Sequence, residues 1–100
     1  MAYCNFSESN LELVTFEKAN LFNANFSKAK LRKVSFESAN LKEVNFEKAD
    51  LSGINLYGSN LNGIINWESC DIRHAYIKNI QNPPSNFIKW AIENHATEDE

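Results

Sequence analysis

Phe6, Leu11, Phe16, Leu21, Phe26, Leu31, Phe36, Leu41, Phe46, Leu51, Leu56 and Leu61 stand at every fifth position of the chain. This spacing suits neither regular element. Five residues advance an α-helix by about 500°, which would spread the apolar side chains over every face. A strand alternates with period two. The spacing instead demands a backbone that turns a corner every five residues, so that four corners close a coil of twenty. A second small or branched residue stands two places before each centre: Cys4, Ser9, Val14, Ala19, Ala24, Ala29, Val34, Ala39, Val44, Ala49, Ile54, Ser59 and Ile64. Two inward side chains per side then fill a narrow core, and successive coils pair their backbones at about 4.8 Å.

Folding the sequence at twenty residues sorts the centres into columns. Phe6, Phe26 and Phe46 share the first side, Leu11, Leu31 and Leu51 the second, Phe16, Phe36 and Leu56 the third, and Leu21, Leu41 and Leu61 the fourth. Aromatic columns therefore oppose each other across the core. Asn5, Asn25 and Asn45 align, as do Asn20, Asn40 and Asn60. Asn suits such corners because its side chain hydrogen-bonds nearby backbone.

The register breaks once, because Asn66 falls where a centre is due. One extra residue at Ile64–Ile65 restores it. The later centres become Trp67, Ile72 and Ile77, with inner partners Ile65, Cys70 and Ala75. Trp67 then extends the Phe6–Phe26–Phe46 column and Asn66 extends the Asn5 ladder. The extra residue is read as a corner insertion, a bulge of the kind solenoids tolerate.

Ala19-Asn20-Leu21, Ala39-Asn40-Leu41 and Ala49-Asp50-Leu51 carry the A(D/N)LXX motif, and on them the chain resembles the pentapeptide-repeat family over residues 4–81. The resemblance implies an all-β solenoid: a right-handed quadrilateral β-helix of about four coils, here residues 1–82. The motif specifies a fold and not a function. Two functions follow from it. One is a non-catalytic scaffold for protein–protein interaction. The other is a DNA-mimic modulator of a type II topoisomerase, as in quinolone-resistance members of the family. A mimic needs a negative rod, whereas residues 1–82 hold nine acids and nine bases.

Pro83-Pro84 ends the repeats, since proline cannot feed a backbone ladder. Ser85 or Asn86 is a suitable N-cap for a short helix within residues 83–97. Phe87, Ile88, Ala91, Ile92 and His95 then share a face, with Trp90 on its flank. That face is expected to cover the open end of the last coil, because an uncovered end exposes core and unpaired backbone. The apolar arc is wider than a cap needs, so a homodimer joined end to end through Phe87, Trp90 and Ala91 is expected. The family's C-terminally joined dimers imply the same arrangement. Its rival is a dimer through the first coil, around Tyr3 and Phe6, where no cap precedes the repeat. The segment from His95 reads as frayed, and residues 98–100 as an acidic tail.

The remaining chemistry is sparse. A chain of 100 residues implies one domain. The opening residues lack a basic and an apolar region, so no secretory signal is expected. No apolar run is long enough to span a membrane. Two cysteines make no disulfide framework and suit a cytoplasmic home. Cys4 and Cys70 both take inner positions roughly 14 Å apart, too far for a disulfide. Cys70 points inward and His74 outward, so they make no nucleophile–base pair. His95 is expected to pack on its helical face. No metal site, cofactor or catalytic residue is expected. Lys28, Lys30, Arg32 and Lys33 form the one basic cluster, stacked on Glu8, Asp50 and Glu12, so direct nucleic-acid binding is not expected. The outward apolar residues are Leu13, Phe22, Tyr57, Tyr76 and Trp90.

Overall fold

The computed structural model describes residues 3–99, and Met1, Ala2 and Glu100 lie outside that range. The chain winds into a solenoid 29 Å long and 22 Å across. Each five-residue unit is one β-turn followed by one rung of a parallel ladder. In the turn, the carbonyl of the centre accepts from the N–H three residues on, as in Ala24 N–H to Leu21 O at 3.0 Å and Ala29 N–H to Phe26 O at 3.0 Å. The third residue of the turn takes a positive φ in the left-handed region, from Glu8 at 61° through Lys28 at 60° to Lys48 at 53°. That is the geometry of a type II turn, which favours Gly or Asn. Only Gly53, Gly58, Gly63, Asn23 and Asn79 meet the preference at turn positions. The other turns hold Ser38 or a charged or bulky residue, against a local cost of about 1 kcal/mol each.

The ladder supplies what the turns lack. Phe26 N–H donates to Asn45 O at 2.9 Å, while Asn45 N–H donates to Ala24 O at 3.1 Å. Bridges pair residues twenty apart from Asn5–Asn25 to Asn45–Ile65. The corner Asn and Asp side chains close Asx turns onto the N–H two residues on, for example Asn25 Oδ1 to Ser27 N–H and Asn45 Oδ1 to Glu47 N–H, both at 2.9 Å. Asn40 Nδ2 also donates to Asn20 Oδ1 at 3.1 Å, linking one coil to the next.

Leu21, Phe26, Leu31, Phe36, Leu41, Phe46, Leu51, Leu56 and Leu61 are buried, together with the alanines and branched residues beside them. Rings stack along each aromatic column, Phe6 on Phe26 at 5.0 Å and Phe16 on Phe36 at 5.3 Å. Across the core the two columns meet edge to face, Phe26 against Phe36 at 5.6 Å. This is the arrangement favoured by the ring quadrupole. Phe6 and Leu11, in the first coil, are only half-buried against this core.

The insertion lies on the far side of Ile65 from the expected place. Ile65 bridges Asn45, accepting from Phe46 N–H at 3.1 Å and donating to Val44 O at 2.9 Å. That ladder position points a side chain outward, so Ile65 is 49% exposed, and Ile64 fills the core beside it. Bridges after it shift to an offset of twenty-one, beginning with Asp50–Asp71. The extra residue therefore falls within Asn66–Cys70. Asn66 enters the left-handed region at φ 58° and starts a single 3-10 turn, Trp67–Ser69. Its side chain still reaches Asn45 Oδ1 at 3.1 Å, so the Asn ladder continues through side chains although the backbone has slipped. Ile72, Ala75 and Ile77 return to the core. Trp67 is half-buried, and the rings it meets are Phe87 and Trp90, at 5.3 and 5.0 Å.

After Pro83-Pro84 one helix forms, α1, Phe87–Glu93. Asn86 stands at its N-cap with φ 68°, and its side chain makes no capping bond. The left-handed backbone there aims the amide away from the first-turn N–H groups, so the expected Asn86 cap is not made. The helix ends in a Schellman motif. Ala96 N–H donates to Ala91 O at 2.9 Å and His95 N–H to Ile92 O at 3.1 Å, with His95 at φ 74°. The motif turns the chain back into the stack. His74 N–H donates to His95 O, Thr97 N–H to Ala75 O and Ile77 N–H to Thr97 O, at 2.8 to 2.9 Å. Ala96 is buried. The segment from His95 to Thr97 is thus a rung of the ladder and not a frayed end. His95 is exposed at the turn and does not pack on a helical face.

Candidate functional site

Among the described residues no three of His, Cys, Asp and Glu gather as a metal ion requires. Among the same residues no helix is long and apolar enough to cross a membrane. Cys4 and Cys70 are not joined in a disulfide. Cys70 sits below Ala49 beside the 3-10 turn, half-buried. Burial pushes its thiol from 9.0 up to about 12, opposed in part by a backbone hydrogen bond. The thiolate is the reactive form, so Cys70 is expected to resist alkylation. In a Cys4→Ser background, iodoacetamide at pH 8.5 should label native Cys70 roughly a thousand-fold more slowly than the unfolded chain. Equal rates would place the thiol in water.

The surface features are therefore the candidates for function, and three stand out. The first is α1. Phe87 and Ala91 are buried in the chain's own core, and Trp90 is half-buried against Trp67. These three were the expected dimer contacts. Phe87 and Trp90 meet Trp67 within the chain, where Trp67 packs half-buried against the core. The apolar side chains that α1 leaves in solvent are Ile88 and Ile92, at 41% and 44% exposed. They lie one turn apart on one face.

The second is a pair of tyrosines on the third side. Tyr57 and Tyr76 stack at 6.0 Å, and Asn79 Nδ2 donates to the Tyr57 hydroxyl at 3.1 Å. Glu37, Asn55 and Lys78 complete a shallow cleft around them. Of the other outward apolar residues, Leu13 is 86% exposed. Phe22 is half-buried, with Tyr3 edge-on at 5.4 Å.

The third is a cleft of about 470 Å³ on the second side, lined by Arg32, Lys33, Asp50, Ser52, Gly53, Arg73 and His74. Arg73 grips Asp71 with one edge of its guanidinium, Nη2 to Oδ2 at 2.7 Å and Nε to Oδ1 at 3.0 Å. That hydrogen-bonded fork holds the Asp71 carboxyl below its ordinary value and raises Arg73 in turn. Arg32 Nε lies 3.8 Å from Glu12, a loose ion pair. Sequence reasoning grouped Arg32 and Lys33 with Lys28 and Lys30 along the chain. It did not group them with Arg73 and His74, forty-one residues on.

A ladder of five-residue turns closed into coils, with its chemistry confined to its outer faces, defines a repeat solenoid. Residues 1–94 match the family described as the pentapeptide repeat region, and the chain belongs to that family. Among solved structures it is similar to HetL, a pentapeptide repeat protein involved in heterocyst differentiation regulation in the cyanobacterium Nostoc sp. strain PCC 7120. The two share 24% identity at a TM-score of 0.54, over 76% of this chain and 39% of HetL. It is also similar to QnrB1, a plasmid-mediated fluoroquinolone resistance protein, at 20% identity and a TM-score of 0.46, over 81% of this chain and 51% of that one. A third is a pentapeptide repeat protein of the Arabidopsis thaliana thylakoid lumen, at 25% identity and a TM-score of 0.38, over 88% of this chain and 71% of that one. The chain spans about two fifths of the length of HetL and about half that of QnrB1. No curated protein matches the sequence.

Proposed function

We propose that this protein is a non-catalytic scaffold, a right-handed four-sided β-helix that binds proteins through its outer faces and pairs with a second copy through α1. The observation that carries the self-association is the exposed pair Ile88 and Ile92. The helix lies over the last coil through Phe87, Ala91 and Trp90, which suits a cap. On the flank next to that face, Ile88 and Ile92 are in solvent. Two such flanks brought together by a two-fold axis form a self-complementary contact. A reducing, cytoplasmic setting suits a chain of 100 residues whose two cysteines make no disulfide framework. The exposed cations Arg32, Lys33 and Arg73 on the second side disfavour a duplex-DNA mimic, which would repel a nucleic-acid-binding partner at those points.

Light scattering tests the self-association. Wild type should run at twice the monomer mass, Ile88→Glu with Ile92→Glu as a monomer, and a chain starting at Asn10 as a dimer. A monomeric wild type overturns the reading, and a dimer lost only on N-terminal trimming moves the contact to the first coil. A pull-down from native lysate, compared with the same double variant, identifies partners that bind independently of the pairing.

A further inference from the structure

The cleft on the second side has a defined shape and an unbalanced set of donors. Arg32, Ser52 and Arg73 stand in one column, as do Lys33, Gly53 and His74. Polar side chains therefore form two lips, Arg32 with Lys33 and Arg73 with His74, with Arg32, Lys33 and Arg73 carrying the positive charge, while Ser52 and Gly53 form the floor. Gly53 has φ 69°, and a Cβ there would stand 3.3 Å from Lys33 Cγ, so the Lys33 stem lies along the floor.

Asp50 in the cleft's wall and Asp71 beside it are each engaged locally. Asp50 accepts the Ser52 hydroxyl at 2.8 Å and the Ser52 N–H at 3.1 Å. Asp71 accepts the Arg73 N–H and one edge of its guanidinium, leaving Nη1 for another acceptor. The ion pairs among the described residues are Arg32–Glu12 and Arg73–Asp71, so Lys33 makes none. The floor's own amide is used as well, since Gly53 N–H donates to Arg73 O at 2.8 Å. The cleft thus offers side-chain cations at two lips and no ring of backbone donors for a single small anion.

We propose that this cleft receives an acidic peptide segment of a partner protein, two of its carboxylates meeting the Arg32–Lys33 lip and the Arg73–His74 lip. The inference rests on the scaffold reading and names the partner's chemistry. Two coil steps separate the lips, a distance of about 10 Å. A polyproline II segment presents residues three apart on one face at about 9 Å. Acidic residues spaced as Glu-x-x-Glu therefore span the cleft in that conformation. Arg73, held by Asp71, is oriented before the ligand arrives, which lowers the entropy lost on binding.

Fluorescence anisotropy with a labelled Pro-Pro-Glu-Pro-Pro-Glu-Pro peptide tests the proposal on the full chain. The two-Glu peptide should bind, and replacing either Glu by Gln should weaken it about tenfold. Arg73→Gln and Lys33→Ser should each weaken binding about tenfold, whereas Lys48→Ser on the first side should leave it within about twofold. Thermal melts of the variants establish that each is folded. No binding to wild type overturns the proposal, and so does equal loss with Lys48→Ser, which would mean unspecific attraction. Displacement of the peptide by inorganic phosphate at matched ionic strength also overturns it, since the cleft would then be a small-oxyanion pocket. Light scattering on the same samples keeps the two readings apart: a dimer that ignores the peptide sinks this inference alone.

Discussion

Phe26→Ala and Phe36→Ala should each cost about 3–5 kcal/mol, more than any exposed substitution in this chain. Both rings are 0% exposed. Each stacks on its neighbours along a column and meets the opposite column edge to face, at 5.0 to 6.1 Å between centroids. The core is one side chain wide on each side of the coil, so no second layer can collapse into the void. A loss of that size is a large share of the stability of a small domain. Phe6→Ala should cost less, because Phe6 is half-buried in the first coil and stacks on one ring of its column, Phe26. Chemical melts of the three variants give the comparison. Unchanged midpoints for Phe26→Ala and Phe36→Ala would show that the aromatic columns do not hold the coils together.

The columns were legible in the sequence because the coil length is a whole number of repeats. Any residue then predicts its neighbours twenty places away. The Asx corners were legible for the same reason, as Asn5, Asn20, Asn25, Asn40, Asn45 and Asn60 each serve one side-chain–backbone bond or one ladder position. Where the repeat fails, equal hydrophobicity hides the register. Ile64 and Ile65 are chemically identical, and only the ladder decides that Ile65 takes the outward place. Placing the extra residue on the wrong side of Ile65 put Trp67 in the Phe46 column, and with it went the partners of α1. Local propensity was equally silent on the turns. Glu8, Lys18, Lys28 and Lys48 hold left-handed backbone that their residue types do not favour. Hydrogen bonds from the neighbouring coils hold them there, and those are a property of the stack. The candidate cleft was out of reach for the related reason that its two lips lie forty-one residues apart in sequence.

The end of the chain supplies the other large effect. A chain ending at Asn94 should be less stable than the full chain by about 3 kcal/mol, and one ending at Thr97 by less than about 0.5 kcal/mol. Polar composition alone argues for a frayed end with no consequence in either case. The structure gives residues 95–97 three ladder bonds, to His74, Ala75 and Ile77. Each bond is worth about 0.5–1.5 kcal/mol, and a buried amide or carbonyl stripped of its partner costs more. Ala96 adds buried apolar surface beside Ala91, and its N–H closes the Schellman motif that ends α1. Removing it frees the helix end as well as the rung. The sequence did hold a trace of this. Ala96 stands twenty-one residues after Ala75, which stands twenty-one after Ile54; the earlier step contains the insertion and the later one the α1 excursion, and each lengthens its coil by one residue. Melting both truncated chains beside the full chain decides the matter. Equal stability for all three would return His95–Thr97 to the solvent, and with them the claim that α1 is an excursion between two rungs of one ladder.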